Sequence, residues 1–421
     1  MPTMSLRCPQ VLLLAMLSSM HCAPSESALI LQVQAWPDGA TRLRLLPKFG
    51  SQAKPAFFVD AAVSEFAVAV PSEQAGRLVV EALVEDGEGC YIAGQIVRAE
   101  FSESRAIQRV SLSLPPYDTR QCPVATFPSL RQVWMDRPDN AWTVGDKGSV
   151  LRWDGKSWVS TLAGRSEFVW SLWQNPSGEV WFVGDAGLIL RWDGSRFQQH
   201  PGGTSVILTA IHGSGDEDVW AVGQQGTVIR WRGKSWESLP IPNLPNPIFT
   251  VLYSVWAESP SNVWVVGTQG TIVHWDGGGW SAPQVPSSPP PGTQTWATRS
   301  FNAVHGTSAD RVFISDAGSM GNILRRQGSE WVLDYSGGPN LYGMWPATPD
   351  TMWVVGDNYL FRRSGTTWLA DVGFRGIGVG WRGVWGSDPF HAIAVGYVNA
   401  PSVAGVLRYW NGVNWSDSPN F

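Results

Sequence analysis

Short runs of apolar and polar residues alternate along most of the chain, and the same arrangement of runs recurs. In Val219–Trp236 (VWAVGQQGTVIRWRGKSW) an apolar strand, a glycine-bearing turn, a further strand and a tight turn lead to a closing tryptophan. This pattern returns seven times between Ser129 and Asp417. Its heads are Trp142, Trp181, Trp220, Trp264, Phe313, Trp353 and Ile393, spaced 39, 39, 44, 49, 40 and 40 residues apart. Its tails are Trp158, Phe197, Trp236, Trp280, Trp331, Trp368 and Trp415. A period near 40 made of short β runs is the signature of a β-propeller with one four-stranded blade per repeat. Residues 129–421 are therefore expected to form a seven-bladed propeller.

In the third repeat the strand-sized pieces are Leu208–His212, Val219–Gly223, Thr227–Trp231 and Ser235–Ser238, read as inner, second, third and outer. The turn before the outer strand holds a glycine in all seven copies: Gly155, Gly194, Gly233, Gly277, Gly328, Gly365 and Gly412. Asp154, Asp193, Asp276 or Asn411 precedes it in four of them, and such pairs favour the hairpin turn that matches strand twist. Trp153, Trp192, Trp231, Trp275 and Trp410 recur at one position, and a residue repeated blade after blade is expected to pack between blades. His212 and His305 stand in the column otherwise held by Trp134, Trp173, Trp256, Trp345 and Trp385. They read as core substitutions, and no metal is expected.

Residues 28–116 show a different pattern. Ile30–Gln34, Thr41–Leu46, Ala56–Val59, Glu65–Val70, Arg77–Val84, Tyr91–Phe101 and Ile107–Leu114 are apolar or alternating runs separated by turn clusters such as Pro37-Asp-Gly39. About seven short strands of this kind predict an immunoglobulin-like or transthyretin-like β-sandwich. Residues 117–128 read as a linker stiffened by prolines, and Val124–Phe127 as a segment that could add to the last blade. The fold class is all-β throughout.

At 421 residues the chain accommodates these two domains and a leader. Its net charge of −5, with no block of Lys or Arg, excludes the clustered basic face that nucleic acid requires. Residues 1–27 read as a signal peptide: Arg7 precedes the apolar stretch Val11–Leu17, which is too short to span a bilayer. The expected location is outside the cytoplasm: periplasmic, anchored to an outer membrane, or extracellular. Two readings of the cleavage site stand. Cys22 resembles a bacterial lipoprotein acceptor, although His21 occupies a place usually held by a small residue; ordinary cleavage near Ala23–Ser25 is the other. Cys90 and Cys122 would be the thiols left in the first domain, best read as one disulfide.

One column breaks the monotony. Two residues into the inner strand the seven copies read Arg131, Trp170, Thr209, Tyr253, Asn302, Tyr342 and Arg382, whereas the flanking columns, Gln132 apart, are apolar, small or aromatic. Alternating strand direction places this column at one mouth of the central channel. The hairpin residues Asp146, Asp185, Gln224, Thr268, Asp316 and Asp357 are expected further out on the same face. The enlarged connections Pro240–Thr250 and Pro283–Ser300 fall there too, and long loops on a rigid scaffold are where binding resides. Ring closure would bring Arg131 and Arg382 together. Aromatic, Arg and Asn side chains suit a sugar, an anionic glycan or a peptide loop; mere tolerance of variety at a channel mouth is the other reading.

The VWxVGxxGxIxxWDGxxW repeat resembles the BNR-like propellers of exported bacterial proteins, including the photosystem II assembly-factor-like group, from about Ser129 to the C-terminus. Sialidases belong to the same broad superfamily. Their Asp boxes approximate Ser-x-Asp-x-Gly-x-x-Trp, whereas this chain has Trp153-Asp-Gly-Lys-Ser-Trp158. The mouth column also offers two arginines where a sialidase clamps its carboxylate with three, and the blade count is not the sialidases' six. No GxSxG, HExxH, CxxC or GxGxxG motif occurs. Gly215-Asp-Glu-Asp218 and similar loops lack calcium-ligand spacing and read as solvated turns. The first reading is an exported, cofactor-free binding or scaffolding protein whose propeller mouth meets a protein or glycan, with membrane contact only through an N-terminal lipid. The alternative is a sialidase-like glycoside hydrolase or lyase.

Overall fold

The computed structural model describes residues 27–50, 52–70, 75–102, 107–124, 126–162, 165–244, 246–282, 295–318, 321–370, 378–398 and 404–417. The expected leader with Cys22, and the 283–294 part of the longest connection, lie outside the described residues. Two compact units are present, Met1–Arg120 with Gly194–Arg196, and Gln121–Asp193 with Phe197–Phe421.

The first unit holds two sheets. In the smaller, Ser27–Val33 runs antiparallel to Glu65–Val70 and parallel to Ile107–Leu112. In the larger, Ala40–Phe49, Gly76–Asp86, Tyr91–Phe101 and Pro116–Gln121 are neighbours in that order, with Gln52–Ala53 and Phe57–Asp60 pairing on Ala40–Phe49. Alternate residues of both sheets, among them Leu29, Leu31, Leu43, Leu45, Val80 and Ala82, share one core, as period-two patterning requires. The strand Pro116–Gln121 falls where a linker was expected. Pro116 opens that strand, a position where its missing N–H disrupts least, so the prolines mark a strand start and not a break. Cys90 and Cys122 are both disulfide-bonded.

The second unit is a β-propeller. Seven four-stranded antiparallel sheets follow one another, each with strands in sequence order. Their first strands are Leu130–Arg137, Val169–Gln174, Leu208–Gly215, Leu252–Ser259, Ser300–Ser308, Leu341–Thr348 and Val379–Asp388. Each touches the next, and the last touches the first, closing a ring.

The repeated tryptophans cement neighbouring sheets. Trp181 meets Trp231 of the next sheet at 5.2 Å, Trp220 meets Trp275 at 5.8 Å, and Trp353 meets Trp410 at 5.8 Å. A partner column was not legible beforehand: the residue paired across from each such tryptophan on the third strand is mostly arginine. Arg152, Arg191 and Arg230 lie over Trp142, Trp181 and Trp220 at 5.2, 5.4 and 4.6 Å. A guanidinium over an indole face is attracted by the ring quadrupole, the more so when desolvated. In the last sheet neither partner remains: Ile393 pairs with Tyr409. Tyr409 instead accepts a hydrogen bond from Trp158 Nε1 at 2.7 Å, joining last sheet to first, and burial pushes its hydroxyl up to about 12.

Val124 does not extend the last sheet. The Val124 N–H donates to the Trp158 carbonyl at 2.8 Å, and the Ser160 N–H to the Cys122 carbonyl at 3.1 Å, so residues 122–124 run beside the first sheet's outer strand. Phe127 reaches across to the last sheet, its carbonyl accepting from the Gly405 N–H at 2.9 Å. Turn chemistry also differs from expectation. Two consecutive residues with positive φ, such as Gln225 (57°) and Gly226 (64°), occur between second and third strands. The Asp-Gly turns use one, Gly155 at 83°, while Asp154 Oδ1 accepts the N–H groups of Lys156 and Ser157.

Candidate functional site at the channel mouth

Every inner strand carries a β-bulge at the same place. Leu130 pairs with Gly145 and Gln132 with Val144, leaving Arg131 outside the ladder. The register skips Trp170, Thr209, Tyr253, Asn302, Tyr342 and Arg382 in the same way. A bulged residue has no cross-strand partner and its side chain is re-aimed. The variable column and the bulge column are one column.

Backbone crowding accompanies the bulge. A Cβ on Gly145, Gly184, Gly223, Gly267, Gly356 or Gly396 would stand 2.0–2.3 Å from a carbonyl oxygen just before or at the start of the inner strand. None of these glycines has positive φ, so each is there for space and not for conformation. In the fifth sheet Asp316 holds this place, paired with Phe301. That corrects its expected position among the outer hairpin residues. It is 1% exposed, receives hydrogen bonds from Arg299 and from Asn322, and is sealed beneath the surface.

All seven bulged residues line one cavity of about 140 Å³. The next layer inward, Gln132, Ser171, Ala210, Ser254, Ala303 and Gly343, is mostly small and leaves the space open. The lining is uneven around the ring. On one side Arg382 lies 3.7 Å over the Tyr342 ring and donates to Asp357 Oδ1 at 3.2 Å and to Tyr397 Oη at 2.8 Å. Tyr342 Oη donates to Asp357 Oδ2 at 3.1 Å; burial raises the Tyr342 pKa, opposed by the Arg382 charge. Arg131 lies 5.0 Å over Trp170 and 3.5 Å from Asp146, and Trp170 Nε1 donates to Asp185 at 2.7 Å. Tyr397 lies between the two guanidiniums, 5.9 Å from Arg131 and 5.0 Å from Arg382. It was missed in the sequence, although it follows Gly396 as Asp146 follows Gly145.

Across the mouth the chemistry is sparser. Thr209 Oγ1 donates to the Val222 carbonyl at 3.1 Å, and Asn302 Nδ2 to the Leu341 carbonyl at 2.7 Å, so both are turned onto the wall. Tyr253 is the exposed member of the column, at 37%, and the burial that remains raises its pKa. With Asp146, Asp185 and Asp357 beside Arg131 and Arg382, the mouth holds no surplus of positive charge. A clamp for an anionic glycan would require cations that are free of such partners.

Deeper in, the Trp and His column forms an aromatic layer. His212 and His305 line the same cavity, 5.8 Å apart, and His305 also meets Trp256 at 5.8 Å and Trp385 at 5.1 Å. The rings therefore converge across the channel from sheets that are not neighbours in the ring. The Ala257 N–H donates to His212 Nδ1 at 3.2 Å, and His305 Nδ1 lies 3.0 Å from the Gly306 carbonyl, which fixes His305 as the Nδ1–H tautomer. Burial lowers His212 to about 3, with the nearby His305 adding to the effect, and lowers His305 to about 4. Both are neutral near pH 7.

The acidic turn Gly215–Asp218 is committed to structure. Asp218 Oδ1 accepts from Arg230 Nε at 2.7 Å and Trp220 Nε1 at 3.0 Å, and Asp216 accepts the Ser177 N–H at 3.0 Å. Among the described residues no group of three or more His, Cys, Asp or Glu is arranged to hold a metal.

The sequence matches no family model and no curated protein. Likeness appears among solved structures. YCF48 bound to D1 peptide is 17% identical, over 72% of this chain and 98% of that one, with a TM-score of 0.51. YCF48 from Cyanidioschyzon merolae is 17% identical over 70% and 98%, with a TM-score of 0.51. The WD40 propeller domain of Doa1 is 11% identical over 71% and 97%, with a TM-score of 0.52. At these identities the likeness is one of fold, and the fold that this chain shares with them is the β-propeller.

Proposed function

We propose that this chain is an exported, non-enzymatic binding protein whose seven-bladed propeller takes a polypeptide segment of a partner at the channel mouth. The N-terminal sheets would form a sandwich that serves as a spacer, and Cys22 would carry a lipid anchor. One observation carries the reading: seven bulges set the seven residues of the variable column around a single cavity. A scaffold that needed only packing would have repeated them, as it repeats its tryptophans. YCF48, of the same fold, is described bound to a D1 peptide, which supports a polypeptide ligand. The neutralised arginines favour a peptide over an anionic glycan. The BNR-like repeat supports the exported bacterial setting.

The test is a Tyr253→Ala/Asn302→Ala double variant of the full chain, compared with the wild type on a glycan array and in panning of a random peptide display library. Peptides retained by the wild type and lost by the variant are expected. Peptides held equally by both would place binding elsewhere.

A further inference from the structure

Three residues before the bulge, the chain makes a recurring anchor. The N–H of Gly148, Gly226 and Gly270 donates to the carbonyls of Glu167, Thr250 and Arg299, at 2.8, 2.9 and 2.8 Å. These carbonyls precede Trp170, Tyr253 and Asn302 by the same interval, so the residues just ahead of each anchor can be compared in register. They are Arg165-Ser166, Ile248-Phe249 and Ala297-Thr298. The middle pair departs from the rest, being large and wholly apolar.

That pair is exposed and firmly held. Ile248 and Phe249 are 73% and 75% exposed, while Thr250 beside them is 0% exposed. Pro247–Phe249 is a single 3-10 turn. The Phe249 N–H donates to the Asn246 carbonyl at 2.9 Å, the Thr250 N–H to the Pro247 carbonyl at 3.0 Å, and Thr250 Oγ1 to the Asn246 carbonyl at 3.2 Å. Leu244 of the same connection leans toward Gly226, where a Cβ would meet its Cδ2 at 2.5 Å. The Phe249 N–H is spent inside the turn, and the two side chains that the turn offers outward are apolar. Tyr253 follows Phe249 by four positions, so their Cα atoms lie within about 14 Å of each other. Tyr253 is the exposed member of the mouth column.

We infer that Ile248 and Phe249 form an apolar anchor beside the mouth, receiving a large apolar side chain of an extended polypeptide whose neighbouring residues reach Tyr253. The inference rests on the mouth reading above and adds the partner's chemistry. Two apolar side chains with no donor or acceptor gain little from a sugar hydroxyl. They gain from a Leu, Ile, Phe or Trp side chain, which loses water against them. A turn already ordered before binding also spares the complex the entropy of ordering it.

The experiment uses peptides selected from a random twelve-residue display library on the immobilised full chain, then synthesised. Their affinities are measured against wild type, I248S/F249S and Tyr253→Ala/Asn302→Ala. Both altered side chains in I248S/F249S point to solvent, so its melting temperature should match the wild type. The expected result is a large apolar residue common to the selected peptides and an affinity loss of about tenfold or more in I248S/F249S. Unchanged affinity in I248S/F249S overturns the anchor; if the mouth variant still loses binding, the mouth reading survives without it. Affinity unchanged in both variants overturns both. Glycan binding with no peptide enriched overturns the anchor as well.

Discussion

In the body of the third sheet Arg230 lies 4.6 Å over Trp220 and binds Asp218 at 2.7 Å. At the mouth Arg382 lies 3.7 Å over Tyr342 and binds Asp357 at 3.2 Å. The parts are alike: a guanidinium, an aromatic face and a carboxylate. Burial separates them. The side chains of Arg230 and Asp218 are 5% and 9% exposed, those of Arg382 and Asp357 15% and 35%. In the first setting the trio fills space between sheets and has no water to fall back on. In the second, each member keeps an open side toward the cavity or solvent. The same chemistry is cement where it is sealed between sheets, and a lining where it is open.

The sharpest way to break this contrast is Arg230→Ala. It leaves the Asp218 carboxylate buried without its counter-ion, and removing one partner of a buried pair costs roughly 3–5 kcal/mol. Denaturant unfolding should show a loss of that size. A loss under about 1 kcal/mol, the range of exposed pairs, would mean that Asp218 reaches water and that the two sites do not differ.

Gly223→Ala tests the bulge. The added methyl meets the Ile207 carbonyl oxygen at 2.1 Å, a backbone contact that no side-chain rotation relieves. Overpacking of this kind costs roughly 1–3 kcal/mol. Gly215→Ala, where nothing lies within 4 Å and φ is not positive, is the matched control and should stay within about 0.5 kcal/mol. Equal effects at both glycines would remove the steric account of the repeated Val-Gly pair.

The aromatic floor separates cement from lining by pH. His212 and His305 titrate near 3 and 4 in the folded state because burial disfavours their charged forms, against about 6.5 when unfolded. Between these values the unfolded chain binds more protons, so folding stability rises with pH there. The contribution is fully present above about pH 6.5 and is lost as pH falls toward 4 and then 3. In the H212F/H305F variant, unfolding midpoints measured from pH 7 to 4.5 should fall less steeply than in the wild type. Parallel curves would show that the two rings meet water in the folded protein.

Much of this was legible in the sequence. Period-two runs and a repeat near 40 residues carry the strands and their ring order, because both follow from local pattern. The mouth column was visible as Arg131, Trp170, Thr209, Tyr253, Asn302, Tyr342 and Arg382, since its residues change in size and charge from copy to copy. Its cause was not visible: a bulge is a mismatch between two strands, and a single strand does not record its partner's register. For the same reason Asp316 was placed one residue too far out. The Arg152, Arg191 and Arg230 column did not stand out, because the pattern of one strand does not show that an arginine's guanidinium lies over the tryptophan paired with it in the same sheet. Tyr397 escaped because it is the aromatic exception in a hairpin column of short polar residues, and its own strand does not show that it turns toward the two guanidiniums.

The smallest expected effect is also the most telling. Arg382→Ala removes a guanidinium that touches Tyr342, Asp357 and Tyr397, yet it should cost no more than about 1 kcal/mol. Asp357 would keep the Tyr342 hydroxyl at 3.1 Å and Asn340 Nδ2 at 3.1 Å as donors, and its exposed side would be solvated. Tyr397 lies at the rim and can turn its hydroxyl to water. If the variant instead loses as much stability as Arg230→Ala, the mouth is as structural as the body, and the failure of its side chains to repeat would reflect local repacking with no bearing on a ligand. If stability holds while peptide binding falls, the open trio is confirmed as a lining, and the distinction between repeated and unrepeated arginines carries function.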